Sequence, residues 1–87
     1  MGAAVAAVAQ VLMSAILPCK ERASALEFAA YVNTMSECEA SGREVIVKTT
    51  AVTAPTFLEM IVMEAVERGW SNGAEMPLAL ADFLATL

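Results

Sequence analysis

The side chains of this 87-residue chain that could do chemistry are few: two cysteines, two close carboxylate pairs, and a cluster of methionines ahead of the single tryptophan. There is no histidine, so the commonest general base and metal ligand is missing. Glu64 and Glu67 share a helix face with Arg68, whereas Glu37 and Glu39 point apart; each pair reads as solvated helix surface rather than an acid–base couple, which needs a desolvated setting. Cys19 and Cys38 lack the spacing of a zinc site, and no glycine pattern marks a P-loop or a dinucleotide fingerprint. No Asp-rich loop resembles a calcium site. The sequence therefore names no catalytic residue, cofactor, metal or small-molecule ligand.

Cys38 sits on an apolar helical stripe with no base or cation at i±3 or i±4, which predicts a packed, inert thiol. Cys19, next to Lys20 and near Arg22, reads as the more reactive of the two. If both lie on one helix, a rise of about 1.5 Å per residue separates them by roughly 28 Å, too far for a disulfide. Free thiols point to a reducing, cytoplasmic setting.

The methionines carry the functional expectation. On a helix through Thr53–Trp70, Leu58, Ile61, Val62, Ala65 and Val66 take one side, and Glu64, Glu67 and Arg68 mark the other. Met60 falls near the charged line and Met63 at its flank, which makes this pair of flexible thioethers a candidate partner contact. The plainer account is that they fill gaps inside the monomer. Trp70 reads either as a third partner-binding residue or as a plug closing the core.

The elements that must position these residues read as helical. Thr56 and Glu59 have capping-box spacing behind Pro55, and Gly69 stands at a helix stop. Residues 1–17 carry no charged side chain; Val5, Val8, Leu12 and Ile16 make a helical stripe opposite Gln10 and Ser14. That run lacks the basic start of a secretory signal and falls short of the ~20 apolar residues of a membrane span. Phe28, Tyr31, Val32, Met35 and Cys38 make a second stripe that Ser41-Gly42 ends. Asn72-Gly73 marks a turn, and Pro77 opens a last helix carrying Leu80, Phe83, Leu84 and Leu87, whose stripe predicts a docked C-terminus. Residues 44–52 are the one strand candidate, with no convincing partner elsewhere in the chain. They read as an extended crossing, a strand pairing with its own copy, or a short helix.

The expected architecture is a single mainly α domain over residues 1–87: four helices near 2–17, 19–40, 56–69 and 77–87, with one extended or β segment near 44–52. Its hydrophobic content of 59% exceeds the usual ~45–50% in a chain too small to bury it all. A second copy is the simplest cover. The net charge of −5, with scattered basic residues, argues against nucleic acid and anionic membranes as partners. The expected function is thus a non-enzymatic cytoplasmic interaction module, a small regulatory adaptor or inhibitor, homodimeric or bound to another protein. The alternatives are a small membrane-associated protein anchored by its apolar N-terminal helix, and an accessory subunit of an enzyme complex.

Overall fold

The computed structural model describes residues 11–87. In chain order the elements are strand β1 (Leu12–Pro18), helix α1 (Arg22–Val32), strand β2 (Cys38–Ser41), strand β3 (Glu44–Thr50), helix α2 (Ala54–Glu67) and helix α3 (Glu75–Leu84). Among the described residues the fold is α/β, three helices with a three-stranded antiparallel sheet, and not the four-helix domain the periodicity predicts. The sheet order β1-β3-β2 splits a β-α-β unit by inserting β3 between its two strands.

The run at 44–52, which reads as an extended crossing, a strand or a short helix, is a strand over Glu44–Thr50, and it lies at the centre of the sheet. Two stretches read as helix supply its partners, so its N–H and C=O groups are used on both sides. Of the helix expected near 2–17, residues 1–10 lie outside the described residues, and Leu12–Pro18 are extended instead. The helix expected near 19–40 covers only Arg22–Val32, and its last residues pair with β3 as strand β2.

Gly42 explains that shortening. It takes φ +62 at the first position of the two-residue loop between β2 and β3, a conformation costly to residues with a Cβ. Ser41-Gly42 therefore turns a hairpin rather than ending a helix. The loop is latched to β1: the Cys19 N–H donates to the Arg43 carbonyl at 2.7 Å, and Arg43 Nη1 donates to the Cys19 carbonyl at 3.1 Å.

Helix α2 starts earlier than the capping-box spacing suggests. Thr53 occupies its N-cap and Pro55 its first turn, where a missing N–H costs nothing, so Thr56 is an interior residue. The preceding turn is held by Thr50 Oγ1, which accepts the Thr53 N–H at 3.2 Å. Its C-terminus follows the sequence signal. Gly69 has φ +78, its N–H donates to the Val66 carbonyl at 3.1 Å, and the Trp70 N–H donates to the Ala65 carbonyl at 2.9 Å. These are the two crossed bonds of a Schellman motif. Helix α3 begins two residues before Pro77, where Asn72 Oδ1 accepts the N–H groups of Ala74 and Glu75.

One core joins all these layers. Ala15 and Leu17 of β1 and Val45 and Val47 of β3 meet Phe28 and Val32 of α1, with Leu58, Ile61 and Ala65 of α2 and Met76 of α3. Each large side chain buried there contributes roughly 1.5–3 kcal/mol. Leu80, Phe83 and Leu84 pack partly against this core, whereas Leu87, the end of the expected stripe, is exposed. The described helices pack on one face of the sheet, which leaves Leu12, Ser14 and Ile16 exposed on the other.

Candidate interaction surface

Helix α2 presents its covered side through Leu58, Ile61, Val62 and Ala65, all buried, with Val66 half-buried at the edge. Met60 and Met63 lie on the other side, 45% and 62% exposed. They line an open groove of about 440 Å³ with Pro55, Thr56 and Glu59. All five residues belong to one helix, at spacings that share a face, so the groove is a furrow on a helix surface and not a cleft between elements. Such a surface suits a packed partner better than an enclosed small molecule.

Trp70 is not part of this groove. Its ring lies 5.7 Å from Phe28 and 5.9 Å from Tyr31 between centroids, within the range of favourable aromatic pairs. Arg68 spans the outside of the cluster, its guanidinium 4.8 Å from the Tyr31 centroid and 5.0 Å from that of Trp70. Arg68 also pairs with Glu64 one turn earlier. The Trp70 carbonyl accepts the Lys20 N–H at 2.9 Å, which ties the end of α2 to the start of α1. The indole thus closes one end of the core. The sequence spacing places Arg68 on the charged face of the helix with Glu64 and Glu67 but gives no sign that it covers two rings contributed by separate elements.

The thiols reverse their expected ranking. Cys19 is fully buried at the end of β1, with Ser71 Oγ 3.6 Å from its sulfur. Burial pushes its pKa up, opposed by the Ser71 hydroxyl and the Arg43 charge. The adjacent Lys20 and Arg22, on which a reactive Cys19 was expected, are exposed and do not offset that desolvation. Cys38 is half-buried on β2, where its Sγ donates to the Ala29 carbonyl at 3.3 Å, and burial raises its pKa as well. Both are free thiols.

A second cavity, about 210 Å³, opens at the end of β3, lined by Leu12, Met35, Thr49, Thr50, Thr53 and Phe57 among others. It is below the ~300–1,000 Å³ of ordinary small-molecule sites. Among the described residues no group of three metal-ligating side chains converges, and no helix is long and apolar enough to cross a membrane.

The apolar residues that sequence periodicity placed wrongly are those of the sheet. Ile16 pairs in register with Ile46 of β3, and Leu12 with Thr50, on the face that no described helix covers. Leu12–Leu17 shows no apolar–polar alternation that would mark a strand; Ser14, between Leu12 and Ile16, is its one polar residue. Comparison with protein-family models, curated proteins and solved structures gives no match for this chain.

Proposed function

We propose that this protein is a non-enzymatic interaction module, a small adaptor or inhibitor that binds another protein through the outer face of α2 and also self-associates. The observation that carries the reading is that two large apolar side chains of α2, Met60 and Met63, are exposed on the side its own fold does not cover. Flexible thioethers adapt to irregular partner surfaces. The raised pKa values of both thiols support a non-catalytic role, since a nucleophilic cysteine needs the opposite shift. Two free thiols also support a reducing, cytoplasmic location.

Affinity capture from the native host, with the wild-type chain and with Met60→Glu and Met63→Glu, tests the reading. A protein retained by the wild type and lost from both variants is the expected result. Equal recovery with all three chains, or none with any, would sink it. An enzyme among the captured proteins would make this chain an accessory subunit with the chemistry in the other polypeptide.

A further inference from the structure

Strand β1 distributes its side chains against the usual rule. Its core-facing positions include Ala15 and Leu17, while Leu12 and Ile16 face away at 62% and 53% exposure. A half-open antiparallel sheet ordinarily alternates apolar inside with polar outside. Ser14 and Lys48, register partners joined from Lys48 Nζ to Ser14 Oγ at 3.2 Å, follow that rule. Ile16 and Ile46, the next pair along, do not. With Leu12 they form an apolar band on the face that no described helix covers. Addition of a strand at the β1 edge is the competing mode of assembly, but it would draw on backbone N–H and C=O groups and leave the side chains of Leu12 and Ile16 uncovered.

We infer that this face docks against the same face of a second copy of the chain, about a two-fold axis along the seam between β1 and β3. The inference rests on the interaction-module reading and names one partner for it. Such an axis lays β1 of each copy over β3 of the other, so Ile16 meets Ile46 twice and the four isoleucines form the centre. The charges agree with self-pairing. Lys48 comes opposite Ser14 rather than a second Lys48, Glu44 comes opposite Pro18 rather than a second Glu44, and Glu39 lies on β2, outboard of the seam. Area sets the strength. Three strands about 4.8 Å apart, with seven residues at about 3.4 Å each, give a face of roughly 24 by 14 Å. That is under half of the ~800 Å² per partner typical of stable complexes, so the dimer belongs to the weak, transient class and forms at high concentration.

Sedimentation equilibrium of the full chain from about 10 µM to about 1 mM tests this. The average mass of the wild type should rise toward twice that of the monomer. Ile16→Lys should stay monomeric throughout with an unchanged melting temperature, and Met60→Glu should dimerise like the wild type. A wild-type chain that is monomeric at the highest concentration, or a dimer that survives Ile16→Lys, overturns the inference. If the monomeric chain melts lower on Ile16→Lys, the cover for this face lies within the chain itself. If Ile16→Lys instead abolishes capture of a different protein, the face belongs to that partner. Both results overturn the second copy, and the last leaves the interaction module standing.

Discussion

Replacing Met60 by glutamate separates a helix with a free face from one buried all round. Met60 is 45% exposed, so roughly half its side chain packs against the fold. Complete burial of a methionine is worth roughly 1.5–3 kcal/mol, and losing half of it costs about 1 kcal/mol. Glutamate and methionine have similar helix propensity, so the backbone contributes little. The new carboxylate stands four residues from Glu64, a like-charge spacing that costs roughly 0.2–0.5 kcal/mol. The total, about 1–1.5 kcal/mol, lowers the melting temperature of a domain this size by about 4–12 °C. Partner capture should fall much further, because the exposed half of the side chain would be replaced by a carboxylate that must lose its water on binding; at least a tenfold loss, about 1.4 kcal/mol, is expected. Urea denaturation followed by circular dichroism gives the first quantity, and titration against the captured partner the second. Loss of more than about 3 kcal/mol of stability would mean a buried carboxylate and refute a free α2 face. A folded variant with undiminished partner affinity would remove Met60 from the contact surface. Met60→Ala, which adds no charge, distinguishes lost packing from repulsion.

The glycines allow a cleaner backbone test. Gly42→Ala and Gly69→Ala each put a Cβ where φ is positive with nothing within 4 Å, so the loss of about 1–2 kcal/mol expected from urea melts is conformational, not steric. Gly73→Ala, whose Cβ would sit 3.5 Å from Val66 Cγ1, should be close to neutral; an equal loss at all three positions would refute this account. Thiol labelling of the native protein should modify Cys38 first and Cys19 only on unfolding. Because burial raises the Cys19 pKa above the usual 9.0, its contribution to stability is whole below that value and is lost as pH rises from there through the folded value. Paired melts near pH 8 and pH 10 should show this excess alkaline loss in the wild type and not in Cys19→Ala. Arg68→Ala should cost about 0.5–1 kcal/mol and shift Trp70 emission, as the guanidinium leaves both rings; an unchanged spectrum would mean that it does not cover the indole in solution.

The stop of α2 at Gly69, the strand at 44–50 and the covered side of α2 were legible in the sequence because each rests on local geometry: a positive φ, a β-branched run, a 3.6-residue period. The state of Leu12–Pro18 was not. Leu12 and Ile16 are four residues apart, and that spacing shares a face in a helix and in a strand alike. Only Ser14 distinguishes the two, opposite them in a helix and beside them in a strand, and one small polar residue among alanines decides little. Pairing with β3, more than twenty-five residues further on, settles it. The same strand uses Gly42 to make Cys38–Ser41 a hairpin arm and so shortens α1. Local propensity is a fraction of a kilocalorie per residue, whereas a central strand left unpaired would strand its buried N–H and C=O groups. The sequence alone therefore determined the elements with their own start and stop chemistry. The tertiary structure decided which apolar runs became partners of β3, and with that which face of the sheet carries Leu12 and Ile16 to solvent beside the half-buried Ile46.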